Sequence, residues 1–194
     1  MICECCHLYK EATKQCMPSG AESPLIYIIG EAPGKEEDEA GVPFIGKSGK
    51  LLREVLESEG LTDAQVRMFN IVRCIPRNGS GVRAPNDEEK KACHNYLYAD
   101  IVKHRPRILV PLGGSSSSYL LGDRFTTITK SRGILHRDIR ISYQWFGQTQ
   151  EYQTAILASF HPSYLLRNGR KPELMDKFRS DIATAKNYAL GRLE

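Results

Sequence analysis

The chain has 194 residues, 41% of them hydrophobic, and a formal net charge of +4. That is the size of one domain able to bury its own core, and no stretch of about eighteen apolar residues is present to cross a membrane. Met1–His7 lack the basic and apolar regions of a secretion signal, so the sequence predicts a single cytoplasmic domain over residues 1–194.

Six cysteines are present, and four of them (Cys3, Cys5, Cys6 and Cys16) fall in the first sixteen residues. Without a secretion signal, such crowding points to a metal rather than to disulfides. Cys3 and Cys6 form a half-site. Cys74 and Cys93 would complete it, at a separation too long for a zinc-finger knuckle, so the fold would have to assemble the site. Four thiolates suit either Zn²⁺ or an iron–sulfur cluster, and spacing does not choose between them. Further along, Leu25–Ile29 is an apolar run between Pro24 and Gly30 and reads as a buried strand. Lys47–Glu59 places Leu51, Leu52, Val55 and Leu56 at helical spacing and stops at Gly60. Val66–Val72 reads as a second strand. Asn86 caps a helix with Asp87, Glu88 and Glu89 in its first turn, and Pro106 ends it after Arg105. Ile108–Leu112 is a third strand, Gly113 and Gly114 open a short helix through Tyr119–Leu121, and Thr154–Phe160 is a fourth strand. Ile139–Trp145 fits a hairpin arm or a loop. Pro172–Leu193 is the last helix, with Leu174, Phe178, Ile182, Ala185 and Ala189 on one face. This alternation predicts a parallel sheet with helices on both sides, whose ligands bind where loops leave the carboxyl ends of the strands.

The segments at those ends carry the candidate chemistry. Gly30-Glu31-Ala32-Pro33-Gly34 is a rigid turn that presents a carboxylate. Phe44, between Pro43 and Gly46, is either a core plug or a stacking platform, and the pattern alone favours the plug. Asn70 interrupts an apolar strand; its amide needs partners, either loop backbone or the edge of a nucleobase. His161-Pro162-Ser163 follows the fourth strand, and Leu165 and Leu166 lie in a charged stretch just beyond. The charge is uneven: residues 1–100 carry 12 basic and 16 acidic side chains, whereas residues 101–194 carry 15 and 7. A basic half suits a polyanion partner or is simply a solvated surface.

Together these segments resemble the uracil-DNA glycosylase superfamily, and within it the iron–sulfur type of family 4 found in bacteria and archaea. The resemblance rests on Cys3-x2-Cys6, Gly30-Glu-Ala-Pro-Gly34, Gly41-x-Pro-Phe-x-Gly46, Asn70-Ile-Val-x-Cys74, Ala92-Cys93 and His161-Pro-Ser163, in family order. It implies a three-layer α/β/α sandwich with a central parallel four-stranded sheet. It also implies a monofunctional hydrolase of base excision repair that releases uracil from single- or double-stranded DNA, working as a monomer. By the same resemblance, Glu31 would activate water, Phe44 would stack on the flipped uracil, and Asn70 would read its O4/N3 edge. Glu37 would crowd a thymine methyl and His161 would donate to O2. Leu165 would fill the gap in the duplex, with Ser163 and Arg167 also on the DNA side. Cys3, Cys6, Cys74 and Cys93 would hold a [4Fe–4S] cluster, with zinc as the alternative. Residues 77–86 are longer than the family usual, a loop in which Arg77 and Arg83 would cover the cluster or meet DNA. Two other readings compete: a non-catalytic DNA- or polymerase-associated module with a structural four-cysteine metal site, and a nucleoside N-glycosidase.

Overall fold

Strands that are apolar at every position must be covered on both faces. The computed structural model describes residues 3–193 and shows how this chain does so. A 3-10 turn over His7–Lys10 precedes β1 (Ser19–Gly20), β2 (Ile26–Gly30), α1 (Lys35–Ala40), α2 (Lys47–Ser58) and β3 (Val66–Asn70). A two-stranded ribbon follows, β4 (Arg77–Asn78) and β5 (Gly81–Val82), then α3 (Asp87–His104), β6 (Ile108–Pro111), α4 (Gly114–Leu121) and α5 (Ile128–Ser131). The chain ends with β7 (Leu135–Trp145), β8 (Gln148–Leu157), α6 (Pro162–Arg167) and α7 (Pro172–Ala189).

The main sheet has six strands in the order β1-β3-β2-β6-β8-β7. β3, β2, β6 and β8 are parallel, while β1 and β7 add antiparallel edges. The expected four-stranded parallel sheet is therefore the centre of a wider one. The reason lies in residues 135–157. Ile139 and Ile141 are buried while Arg140 between them is exposed, the alternation of a one-faced edge strand, and the arm turns through Phe146 and Gly147 into β8.

Period-two alternation divides the strand side chains between two cores. Ile26, Ile28, Val110 and Leu157 face α2 and α7, packing with Leu51, Leu52, Phe178 and Ile182. Tyr27, Ile29, Leu109 and Ile156 face α3 and α4, packing with Leu97, Ile101, Leu120 and Leu121. The three layers of the α/β/α sandwich follow. Among the described residues no helix is long and apolar enough to cross a membrane.

The order places β2 between β3 and β6, so the chain leaves β2 toward one side and returns on the other. The crevice at the carboxyl ends of these strands is where α/β sheets receive ligands.

Candidate active site

β2 and β3 end in register, with Gly30 opposite Asn70. The fit is close enough that a Cβ on Gly30 would fall 2.2 Å from Asn70 Oδ1 and 2.8 Å from Phe44 Cζ. Only glycine lets the Asn70 amide and the Phe44 ring meet above the strand end. Phe44 has φ +57°, an uncommon conformation for a bulky residue. Its backbone presses on α2, where a Cβ on Gly49 would lie 1.8 Å from the Phe44 carbonyl oxygen. The ring is almost wholly buried yet forms part of a cavity wall, so it is plug and platform at once.

That cavity has a volume of about 480 Å³ and brings together Glu31, Glu37, Phe44, Asn70 and His161, with Ser163 and Arg167 at the same site. Its size is that of a small-molecule pocket. Asn70 is buried, and its Nδ2 has no hydrogen-bond partner among the described residues. Glu37, in the first turn of α1, accepts from the Gly34 N–H at 3.2 Å. Burial pushes its carboxyl above the usual range, opposed by the Gly34 and Phe44 N–H groups and by the nearby Asn70 amide, which favours the anion without reaching hydrogen-bond geometry.

His161 caps α6, and its Nδ1 accepts from the Ser163 backbone N–H at 3.1 Å. A backbone N–H only donates, so Nδ1 carries no proton and the neutral ring is protonated at Nε2. The Ser163 hydroxyl, 2.8 Å from Nδ1, must then donate to it, while Ser163 Oγ accepts from Arg167 at 3.1 Å. Burial, reinforced by the Arg167 cation, pushes His161 down to about 4. The ring is a neutral donor at neutral pH. Beneath it Ser159 Oγ donates to Asp181 at 2.5 Å, and Asp181 is paired with Arg132. This buried brace under the strand end has no local sequence signal, because its members lie far apart in the chain.

One residue lies elsewhere than the resemblance implies. Leu165 is fully buried in the core beneath α2 and α7 and is not placed to enter a duplex. Pro162 occupies the first turn of α6, so the helix begins at once and turns Leu165 inward. The exposed side chain of that turn is Tyr164. Val82 of the ribbon and the adjoining Arg83 also reach the cavity; the sequence reading passes over this turn, whose one available signal is the Asn78-Gly79 pair. Arg77 and Arg83 are tied inward: Arg77 pairs with the fully buried Asp38 at 2.9 Å, and Arg83 grips Glu89 at 2.5 and 2.8 Å.

Residues 17–183 match the uracil DNA glycosylase superfamily. The chain belongs to that superfamily. It is 36% identical over 186 residues to a type-4 uracil-DNA glycosylase of Thermotoga maritima, an alignment covering 96% of this chain and 88% of that protein. A type-4 uracil-DNA glycosylase of Archaeoglobus fulgidus is 34% identical over 185 residues, 94% of this chain and 85% of that one. A DNA polymerase of Bacillus phage SP01 is 34% identical over 165 residues, which are 84% of this chain and 16% of the polymerase.

In this superfamily member the cysteines group beside the continuation of β3. Cys74 and Cys93 are buried, and Cys6 packs against the same apolar cluster. Burial pushes Cys74 up to about 12 and Cys93 up to about 11; Cys3 and Cys6 add to this, and Arg73 opposes it in both. Cys74 and Cys93 thus both feel the charges of Cys3 and Cys6. Among the described residues, no group of three or more His, Cys, Asp or Glu side chains is arranged to hold a metal ion directly. Cys16 stands apart, with its Sγ donating to the Glu37 carbonyl at 3.0 Å, so it fastens the end of α1. Cys5 is exposed, with its Sγ 4.0 Å from Tyr96 Oη.

Proposed function

We propose that this chain hydrolyses the N-glycosidic bond of deoxyuridine in DNA, releasing uracil and leaving an abasic site, as a monomer in the cytoplasm. The observation that carries the reading is the orphaned Asn70 amide in the cavity wall. A buried donor without a partner is costly unless a ligand supplies the acceptor. Uracil O4 is such an acceptor, and the Asn70 carbonyl would take the N3 proton; cytosine presents the reverse pattern.

The remaining groups fit the same base. A flipped uracil stacks on Phe44. As the bond breaks, negative charge grows on the leaving base, and the Nε2–H of neutral His161 meets it at O2 without a change of protonation. Glu31 holds the attacking water and favours the positive charge on the sugar. Glu37 occupies the space a 5-methyl group would need. Ser163 and Arg167 line the phosphate side, and the exposed Tyr164 takes over the gap-filling role that the resemblance implied for Leu165.

Cys74 and Cys93 are buried with Cys6 packed beside them, a donor set whose chemistry suits a thiolate-ligated centre completed by Cys3, which we take as a [4Fe–4S] cluster. Bound there, it would supply cross-linking of the N-terminal segment to β3 and α3, since hydrolysis needs no electron transfer. Iron and sulfide analysis separates it from a zinc site, which is colourless.

The test is release of free uracil from single- and double-stranded oligonucleotides. The expected result is release by the wild type and a loss of about 10²–10³-fold in His161→Ala. No release from either substrate overturns the proposal. The similarity to part of a phage DNA polymerase supports a second reading, a non-catalytic DNA-binding module. That reading requires salt-dependent binding indifferent to uracil.

A further inference from the structure

Arg73 is the least expected charge in the molecule. It lies three residues beyond β3, immediately before Cys74, and is only 6% exposed. A buried guanidinium ordinarily faces a carboxylate. Among the described residues none lies within ion-pair distance of Arg73, although Arg67, Arg77, Arg83 and Arg132 are all so paired. Among the described residues its Nε has no hydrogen-bond partner, and its Nη1 meets the Met17 sulfur at 3.6 Å. The guanidinium lies flat on Tyr96, with Cζ 3.7 Å from the ring centroid. Tyr96 stands one helical turn beyond Cys93, and its hydroxyl is 4.0 Å from Cys5 Sγ. The unpaired cation is therefore held by an aromatic platform among the cysteine-bearing segments.

A buried cation without an anion is a costly arrangement, and it is relieved if the anion arrives with a bound group. Four thiolates around a cluster carry net negative charge. We propose that Arg73, held on Tyr96, is the internal counter-ion of the four-cysteine centre and sets how readily that centre is reduced and how firmly it is kept. The inference rests on the cluster reading above. Arg73 touches no substrate in this view; it acts through the cluster, whose potential depends on net charge, hydrogen bonding and exposure to water.

The sign of the effect separates charge from mere packing. Losing a cation makes an electron harder to add, which lowers the reduction potential. Losing packing opens the centre to water, which favours the more negative, reduced level and raises the potential. The experiment is protein-film voltammetry on the iron-loaded protein, on whichever one-electron couple is within reach, together with the rate of iron loss to a chelator and ferricyanide. Arg73→Met should shift the ratio of reduced to oxidised cluster at least tenfold toward oxidised at the wild-type midpoint, equivalent to 59 mV for one electron. It should also lose iron several-fold faster. Arg73→Lys should restore both, and Tyr96→Leu should shift the potential in the same direction by less. If Arg73→Met retains no iron, Arg73→Lys and Tyr96→Leu decide by the same measurements. An iron-loaded Arg73→Met or Tyr96→Leu protein with an unchanged or raised potential overturns the role of Arg73 alone. A wild-type protein that binds no iron overturns the cluster reading and this inference with it.

Discussion

His161 shows how neighbours fix a side chain's chemistry. The Ser163 N–H settles its tautomer, and burial with the Arg167 cation holds it down to about 4 against an ordinary value of 6.5. A group whose folded value lies below its unfolded one binds fewer protons in the folded state between the two. The stability it allows is therefore full above about 6.5 and is lost as the pH falls from there toward 4. Urea unfolding at pH 7 and pH 5 should show wild-type protein losing roughly 1 kcal/mol more than His161→Gln between those values, discounted for the ring's partial exposure. Equal losses in both proteins would mean that the imidazole is not held neutral. The positions of Glu31, Asn70 and His161 were legible in the sequence because strand ends are legible, while the roles proposed for them came only with the family resemblance. The state of Phe44 was half-legible: burial followed from its pattern, but its place in the cavity wall depends on the close approach of Gly30 and Asn70, which no local pattern reports.

Leu165 was misplaced for a reason that belongs to elements. In a loop, the residue after Tyr164 is free to point into a duplex. In a helix begun by Pro162, Leu165 lies on the inner face against α2 and α7, and Tyr164 is left outside. Six residues are too few for periodicity to announce a helix, so the proline was the only cue. Deleting a fully buried leucine leaves a cavity, and Leu165→Ala should cost about 2–5 kcal/mol in urea unfolding. Tyr164→Ala should stay within about 1 kcal/mol of wild type while lowering the rate of uracil release from duplex more than from single strands. A Leu165→Ala protein of unchanged stability with selectively reduced duplex activity would return the wedge to Leu165. α2 and α3 were read nearly to the residue, α3 through Asn86 and Glu89, which form a reciprocal capping box, whereas β8 starts at Gln148 rather than Thr154 and α7 ends at Ala189 rather than Leu193. The ribbon β4–β5 was missed because each strand has only two residues, leaving the Asn78-Gly79 turn as its sole trace.

At the scale of the whole molecule, two bodies of unequal robustness share one chain. The central strands are buried on both faces between two apolar cores. Cys74 and Cys93 lie in the second of these cores, whereas the N-terminal segment and the ribbon are fastened to it largely by polar ties. The most connected of these is Glu89, 1% exposed, which accepts from Arg83 of the ribbon, lies 3.0 Å from His7 of the N-terminal turn, and closes the cap of α3. Asp38 similarly gathers Thr13 and Arg77. Leu8 is the apolar anchor of the N-terminal segment. The uneven charge seen in the sequence was a weaker guide, since several basic groups of the second half are paired with acids, as Arg132 is with Asp181 and Arg170 with Glu54. This division predicts what happens when the metal centre is removed by oxidant and chelator, or by Cys74→Ser with Cys93→Ser. The polar ties hold the segments near their places but do not replace a covalent cross-link, so local opening should become easier there alone. Amide hydrogen exchange should speed up by about tenfold or more over residues 3–16 and 74–86, while β2, β3, β6 and β8 keep their protection. Protection lost equally throughout would instead make the centre a requirement for the sheet itself.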